Sequence, residues 1–406
     1  MSMTRKSFLR TIAGAAMVGG FLHRGPAALL QAQEKLHLPT KSTRIRDVEI
    51  FPYSLQVKVV IRIALGTMPT TEDNVFVRLR TEEGVTGVGE AAPYSPVTSE
   101  TQQTDVAMGR TLAELVRGCD PFTLSKIVDD MDALSPNNPS IKAAFEMALW
   151  DICGKITGQP ICCLLGRYRG TFETDKTIFI DTPAAMAEAA REVVREGFRT
   201  IKVKVGESPE KDIERLRAVR EAIGSDIALR IDANQGWSPA EAVRCLRGIE
   251  KFQIQACEQP VPYWDWVGLK YVREHSSMPI MADESVHSPH DAIEAVRRGA
   301  VDIINIKLMK TGGILNAVRI AEIADAADLK CMLGCMNESS LALTAAAHVV
   351  TSRKNIVYAD LDSSLFNVSN PILGGMEIKQ GVVHLPSASG LGLDIDPAFL
   401  KKLTPA

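Results

Sequence analysis

The feature that most constrains the fold is a regular series of polar residues at the ends of apolar runs. Counted from the first of them, these residues recur at intervals of 24 to 28 residues. Each interval has room for one strand, one helix and two turns. A regular βα repeat with polar strand ends predicts a (β/α) barrel whose active site lies at that face. The series consists of Lys204, Asp232, Glu258, Asp283, Lys307, Cys335 and Asp360.

The strand that opens this series, 200–206, carries two lysines. Residues i and i+2 of a strand point to the same face, so Lys202 and Lys204 share one side while Ile201 and Val203 take the other. Two neighbouring ammonium groups repel, and repulsion favours a neutral amine that could act as a base. The alternative is a solvated edge strand.

Three successive strands end in acids, Asp232, Glu258 and Asp283. Converging carboxylates repel unless a cation lies between them, and an all-oxygen ligand set selects Mg²⁺ or Mn²⁺. The alternative for any one acid is a salt bridge. We predict one Mg²⁺ per subunit, with Asn234 and Gln259 supporting its ligands from behind.

Lys204 and Lys307 should lie on opposite sides of the barrel mouth, with the acids between them. A substrate carboxylate on the metal would then have one lysine on each face of its α-carbon. One lysine would remove the α-proton and the other would return a proton to the opposite face. The metal and Lys202 would stabilise the enolate. The same geometry also permits elimination or cycloisomerisation, so these residues alone leave the product open.

The chain divides by pattern into four parts. Residues 1–34 begin with basic residues, and a short apolar stretch follows at 11–22. This pattern predicts an export signal of twin-arginine type and therefore a periplasmic or exported protein. The alternative is a cytoplasmic chain with a frayed N-terminal tail. Residues 44–170 predict an α+β capping domain, 171–368 the barrel, and 369–406 a tail that returns to the capping domain. The loop 64–70 could act as a lid over the site.

The net charge of −3 argues against nucleic-acid binding, and no stretch outside the signal is apolar for long enough to cross a membrane.

Helical periodicity and caps predict three helices in the first domain and seven in the barrel. The predicted spans are 100–118, 122–134, 139–157, 182–196, 209–223, 238–250, 264–276, 288–298, 312–327 and 339–352.

Taken together, these motifs resemble the enolase superfamily, and within it the muconate-lactonizing subgroup. The resemblance runs from about residue 45 to the C-terminus and implies a (β/α)₇β modified TIM barrel with an N-terminal α+β capping domain. It also implies one Mg²⁺ on the three acids and Lys204 and Lys307 as the acid/base pair. The matching motifs are Lys202-Val203-Lys204, Asp232-Ala233-Asn234, Glu258-Gln259-Pro260, Asp283-Glu284-Ser285 and Asn305-Ile306-Lys307.

Two further segments, 334–339 and 360–362, resemble the dipeptide epimerases. In that family the two acids of the D-x-D motif, here Asp360 and Asp362, hold the free α-ammonium of the dipeptide. The loop that here contains Cys335 and Met336 lines the substrate backbone. A carboxylate pair at one strand end is a suitable site for a cation. The alternative is that the two acids only cap the last helix.

The sequence departs from the family at one place. Members that act on Ala-Glu carry an arginine in the loop before the long strand. Here that loop, at residues 64–67, contains no arginine; Arg62 lies nearby on the same strand and could replace it from a displaced position. We therefore predict a dipeptide epimerase that is not restricted to Ala-Glu, with a small or apolar C-terminal side chain at least as suitable. The alternatives are an o-succinylbenzoate synthase, a muconate cycloisomerase and a catalytically silent peptide-binding protein. Association into a homo-oligomer stays open, as do the preferred dipeptide, its pathway and the signal cleavage site.

Overall fold

The computed structural model describes residues 42–406 of the chain. The predicted export signal at 1–34 lies outside these described residues. Within 42–406, no helix is both long enough and apolar enough to cross a bilayer.

The capping domain begins with an antiparallel sheet. Its long first strand pairs with the fourth, and the fourth with the fifth, in the order β1-β4-β5. The alternating apolar residues of these strands form one face that the following helices cover. The strands are β1 (Ile45–Gln56), β2 (Arg62–Ile63), β3 (Gly66–Thr67), β4 (Thr71–Thr81) and β5 (Thr86–Ala91).

The longest helix of this domain packs directly on strand β5. Gly87 and Gly89 make this approach possible, because a Cβ atom at Gly89 would lie 1.9 Å from the carbonyl oxygen of Ala144. The helices are α1 (Ser95–Thr98), α2 (Gln102–Val116), α3 (Leu124–Leu134), α4 (Pro139–Thr157) and α5 (Ile161–Leu164).

Eight parallel strands, β7 to β14, form the barrel sheet in sequential order. Seven of them are followed by a helix, which gives the (β/α)₇β architecture predicted from the sequence. The N–H of Asp175 donates to the carbonyl of Ala359 at 3.3 Å, so the first and last strands meet. The strands, with β6 (Thr171–Glu173) before them, are β7 (Lys176–Ile178), β8 (Thr200–Lys204), β9 (Ala228–Asp232), β10 (Ile254–Glu258), β11 (Ile280–Ala282), β12 (Ile303–Ile306), β13 (Lys330–Leu333) and β14 (Ile356–Ala359).

The barrel helices begin at caps that are visible in the sequence. Ser238 and Ser288 each form a capping box with an acid three residues later, and proline follows directly at the first helical position. The helices are α6 (Pro183–Arg195), α7 (Pro209–Ile223), α8 (Pro239–Ile249), α9 (Trp266–Glu274), α10 (Pro289–Arg298), α11 (Leu308–Thr311), α12 (Ile314–Ala326) and α13 (Ser340–Ser352).

The C-terminal residues leave the barrel and contact the capping domain. The N–H of Ala406 donates to the carbonyl of Ile50 at 2.8 Å, and that of Gly390 to the carbonyl of Gln159 at 3.0 Å. The elements of this segment are β15 (Ile372–Gly374), β16 (Glu377–Lys379), β17 (Val382–His384), β18 (Leu393–Ile395) and α14 (Pro397–Leu400).

The segment predicted as a loose loop at 64–70 is more ordered than expected. Strands β2 and β3 make it a short hairpin, closed by the N–H of Met68 on the carbonyl of Ile61 at 2.8 Å. The N–H of Ile180 donates to the carbonyl of Arg62 at 2.9 Å and ties the hairpin to the barrel. Its movement as a lid stays a prediction.

Candidate active site

A cavity of about 670 Å³, part of it open to solvent, lies where the capping domain covers the C-terminal ends of the barrel strands. Charged side chains cover the barrel side, and apolar side chains cover much of the rest. The apolar lining consists of Ile61, Ile63, Met68, Tyr94, Val97, Phe179, Met336 and Phe366.

The three acids of the predicted metal site lie at three neighbouring strand ends of the barrel mouth. Glu258 lies opposite Asp232 in the register of β9 and β10, and Asp283 directly follows strand β11. All three are at most 2 % exposed. Burial raises the pKa of Glu258 to about 7, and the charge of Asp232 adds to this effect. The cluster therefore needs positive charge beside it in order to stay ionised.

The two predicted catalytic lysines flank the acids. Lys204 Nζ lies 2.6 Å from Asp232 Oδ2, and Lys307 Nζ lies 2.7 Å from Asp283 Oδ2. Both lysines line the cavity, and strands β9, β10 and β11 separate them in the sheet. Burial opposes the charge on Lys307, but the charges of Asp283, Glu258 and Glu284 together outweigh burial and raise the pKa of Lys307 above its ordinary value.

Lys202 lies among three carboxylates. Its Nζ is 2.7 Å from Asp360 Oδ2, 2.9 Å from Glu258 Oε2 and 3.2 Å from Asp232 Oδ2. Burial favours the neutral amine, but these charges outweigh burial and raise the pKa of Lys202 well above its ordinary value. The hypothesis that repulsion between two lysines makes this amine neutral is therefore wrong for Lys202. The neighbouring acids decide its charge, and a permanent cation suits the stabilisation of an enolate.

The acids of the D-x-D segment converge with Cys335. One ligand atom each of Asp360, Asp362 and Cys335 lie within 4.8 Å of one another. Asp362 Oδ2 accepts the N–H of Thr177 at 2.6 Å, whereas the buried Oδ1 of Asp360 has no partner. Burial and the charge of Asp360 raise the pKa of Asp362 to about 7. These groups and Met336 line the cavity, and the acids could receive a cationic group.

The two residues predicted to support the metal ligands each contact one of them through a hydrogen bond that involves a backbone N–H. The N–H of Asn234 donates to Asp232 Oδ1 at 2.9 Å, and its side chain donates to Glu284 Oε1 at 3.3 Å. Gln259 Oε1 accepts the N–H of Asp283 at 2.9 Å. Both residues therefore orient the acids.

The sequence analysis missed two residues that contact the acids. Lys310 Nζ lies 2.6 Å from Asp283 Oδ1, and Asn305 Nδ2 donates to Glu258 Oε1 at 2.7 Å. A signal was available for each of them. Asn305 precedes Lys307 by two residues and so shares its strand face, while Lys310 follows Lys307 by about one helical turn.

Arg62 does not line the cavity. Its guanidinium forms an ion pair with Glu207 at 2.5 Å on the outer side of the hairpin. The idea that Arg62 replaces the missing arginine of the loop is therefore not supported, since the hairpin directs it away from the substrate.

Comparisons with known proteins agree with this geometry. Residues 45–166 match the family model described as the N-terminal domain of mandelate racemase/muconate lactonizing enzyme, and residues 185–399 match the enolase C-terminal domain-like model. A hydrophobic dipeptide epimerase from Enterococcus faecalis is 41% identical over 352 residues, which cover 86% of this chain and 99% of the relative. The chain belongs to the dipeptide epimerase family of the enolase superfamily.

This chain is also similar in sequence and structure to other members of the family. An L-Ala-D/L-Glu epimerase from Bacillus subtilis is 40% identical, with 88% of this chain and 98% of the relative covered. The Enterococcus faecalis enzyme in complex with Mg and L-Leu-L-Tyr superposes with a TM-score of 0.85 at 41% identity, covering 86% of this chain and 99% of that one. The Cytophaga hutchinsonii enzyme in complex with Mg and D-Ala-L-Val superposes with a TM-score of 0.87 at 37% identity. The match covers 89% of this chain and 99% of that one.

The donor set of this chain fits the Mg²⁺ of the family. Asp232, Glu258 and Asp283 offer only carboxylate oxygens, on three adjacent strand ends and almost fully buried. Neither histidine nor cysteine is among these three ligands, which disfavours zinc. The lysine contacts already described show that the cluster attracts cations.

Proposed function

We propose that this protein inverts the α-carbon of the C-terminal residue of a dipeptide by a 1,1-proton transfer between two lysines. The observation that carries this proposal is the placement of Lys204 and Lys307 on either side of three buried acids, with the carboxylates of Asp360 and Asp362 farther along the same cavity. A dipeptide has a carboxylate at one end and an ammonium at the other, so it matches both ends of this site.

Each end of the substrate has a partner of opposite charge. Mg²⁺, when bound by the three acids, supplies positive charge for the substrate carboxylate and for the enolate. Lys202 adds a second, permanent cation on the same side. Asp360 and Asp362 hold the ammonium, and the loop with Cys335 and Met336 lies along the peptide. One lysine takes the α-proton and the other delivers a proton to the opposite face.

The apolar lining favours an apolar side chain on the C-terminal residue. Ile61, Ile63 and Met68 of the hairpin face the cavity, and Arg62 does not. A substrate glutamate would leave its carboxylate against this apolar wall without a counter-charge, which is costly. We therefore propose that the preferred substrates carry a leucine-like or aromatic C-terminal residue rather than glutamate.

The cycloisomerase and synthase alternatives lack an explanation for the buried acids at the far end of the cavity. Their substrates carry no ammonium, so Asp360 and Asp362 would face uncharged or anionic groups. The dipeptide reaction uses both of these acids as well as the three metal-binding acids and the lysines at 202, 204 and 307.

Isotope exchange tests the reaction directly. Libraries of L,L- and L,D-dipeptides are incubated with the Mg²⁺-loaded enzyme in D₂O and followed by mass spectrometry. We expect deuterium at the C-terminal α-carbon, fastest for apolar C-terminal residues and slower for Ala-Glu. The matched control is the double variant Lys204→Ala/Lys307→Ala, which should show no exchange. A folded, metal-loaded wild type that exchanges no dipeptide would sink the proposal.

We also propose, from the basic and apolar start of the chain, that the protein is exported. Its substrates would then be peptides outside the inner membrane, from cell-wall turnover or food. Fractionation of cells that express the full chain tests this: we expect the enzyme in the periplasm, and a variant with Arg5→Ala and Lys6→Ala in the cytoplasm. Equal distribution of both proteins would contradict export. Size-exclusion chromatography with light scattering would decide whether the enzyme forms a homo-oligomer.

A further inference from the structure

A buried acid on the capping-domain side of the cavity has no part in the scheme above. Glu72 lies on β4 and lines the cavity, yet it is only 5% exposed and its Oε2 has no hydrogen-bond partner. Buried polar atoms nearly always have partners, and unpartnered ones call for an explanation. No salt bridge with Glu72 is found among the described residues 42–406.

The surroundings of Glu72 show which part of a substrate it would meet. Asn367 and Glu338 both lie close enough to shift the pKa of Glu72, Asn367 downward and Glu338 upward. Asn367 follows the D-x-D acids in the chain and Glu338 follows strand β13. Their chain neighbours Phe366 and Asn337 line the same cavity as Glu72, Asp360 and Asp362. Glu72 therefore lies beside the N-terminal residue of the dipeptide and away from the reacting α-carbon.

The neighbours of Glu72 offer mainly hydrogen-bond acceptors. The Oδ1 of Asn367 and the Oε2 of Glu338 are buried and also lack partners. Burial, with a contribution from Glu90, raises the pKa of Glu72 to about 9, so the carboxyl is neutral when no ligand is bound. The O–H of the neutral carboxyl can donate to one of these acceptors, and a ligand with a hydrogen-bond donor would satisfy the remaining carboxyl oxygen. An aliphatic side chain would leave that oxygen unpartnered at a cost.

We propose that Glu72 selects dipeptides whose N-terminal side chain carries a hydrogen-bond donor, either a neutral amide or an ammonium group. This inference rests on the proposed dipeptide epimerisation. It adds a polar requirement at the N-terminal residue to the apolar preference at the C-terminal residue. Sites built to hydrogen-bond a substrate group discriminate strongly against analogues that lack it.

A substrate series with leucine at the C-terminus tests this proposal. The values of kcat/KM are measured for Met-Leu, Gln-Leu and Lys-Leu, whose N-terminal side chains have similar lengths. For the wild type we expect Gln-Leu or Lys-Leu to exceed Met-Leu by about tenfold. The variant Glu72→Leu should reverse this order in favour of Met-Leu. If an ammonium is the natural donor, the variant Glu72→Gln should retain its kcat/KM for Gln-Leu and lose activity on Lys-Leu.

The control is Asp73→Asn, which changes the exposed acid that follows Glu72 on β4 and does not line the cavity. Its order of substrate preference should equal that of the wild type. Calorimetric binding of the same dipeptides to the inactive Lys204→Ala/Lys307→Ala background, with and without the Glu72 substitution, gives the same ranking without turnover, so a variant with impaired catalysis remains informative. Equal preference in wild type and Glu72→Leu, with normal exchange on Met-Leu, would overturn the role of Glu72 alone. Absence of exchange with all three dipeptides would instead overturn the proposed function.

Discussion

At the scale of single residues, the charge on Lys202 and Lys307 is set by the acids around them. Lys202 has three carboxylates within 3.2 Å, and each of the flanking lysines has one at 2.7 Å or less. The two-lysine mechanism requires that a flanking lysine lose its proton during turnover. Binding of Mg²⁺ to the three acids would draw their negative charge away from Lys204 and Lys307, which lowers the cost of that loss.

The two flanking lysines should have separable roles. We expect Lys204→Ala and Lys307→Ala each to reduce epimerisation by at least 10³-fold, roughly the contribution of a positioned acid or base. Each variant should still exchange the α-proton of one C-terminal epimer, because the remaining lysine faces only one side of the α-carbon. Exchange measured by NMR in D₂O, with Mg²⁺ binding checked by calorimetry, tests this. A single variant that keeps full turnover would show that the two-base scheme is wrong.

A buried acid pair in the capping domain should make stability depend on pH. Burial raises the pKa of Asp105 to about 10, and the neighbouring Glu100 adds to the effect. The unfolded chain releases this proton near pH 4 while the native chain keeps it, so stability should fall as the pH rises from about 4 towards 10. Asp105→Asn should flatten this slope and be about 1–3 kcal/mol more stable than the wild type at pH 8.

Urea unfolding at pH 5, 6.5 and 8, followed by circular dichroism, measures this slope. The exposed Asp129→Asn is the matched control and should keep the slope of the wild type. Parallel curves for Asp105→Asn and the wild type would contradict a proton held by this pair.

The strand-end residues could be predicted because they follow a period, whereas Glu72 of the capping domain does not. Lys204 and Asp232 each end an apolar run, so a repeat of one strand and one helix places them at one face. Glu72 belongs to the capping domain and reaches the cavity only through tertiary packing. Nothing in its local sequence distinguishes it from an exposed strand residue, since the burial of its side chain depends on Asn367 and other distant segments.

At the scale of elements, the helices were predictable and the short hairpin was not. The span predicted at 139–157 matches α4, because its apolar residues recur with the helical period. The hairpin of β2 and β3 has only two residues in each strand, too few for a period to show. It is defined by contacts with the barrel, such as that of Ile180, which sequence reasoning does not supply.

The contact between β5 and α4 should be intolerant of any side chain. We expect Gly89→Ala to lower the free energy of unfolding by about 3 kcal/mol or more, because the new Cβ would overlap the backbone of Ala144 and overpacked sites cost at least 1–3 kcal/mol. Gly170→Ala is the control, since there the nearest atom is the end of the flexible Arg167 side chain at 3.2 Å. Thermal unfolding tests both, and equal melting temperatures would contradict the close approach.

At the scale of the whole molecule, the active site is divided between two domains with different tasks. The barrel supplies the acids and lysines that perform the reaction, and its strand order determines their arrangement. The capping domain supplies the apolar wall of Ile61, Ile63 and Met68 and the polar group of Glu72. The barrel face therefore carries out the proton transfer. We expect the choice of dipeptide to depend on the side chains that the capping domain places over that face.

The ion pair between Arg62 and Glu207 joins these domains and should act on the lid rather than on the substrate. The Arg62 side chain is 51% exposed, so the pair contributes at most about 1 kcal/mol. We expect Arg62→Met to raise KM by no more than about fivefold, by the same factor for Leu-Leu and Ala-Glu, and to leave kcat nearly unchanged. High salt should remove the difference from the wild type, because it screens an exposed pair. A loss confined to Ala-Glu would instead mean that Arg62 reaches the substrate glutamate when the hairpin closes.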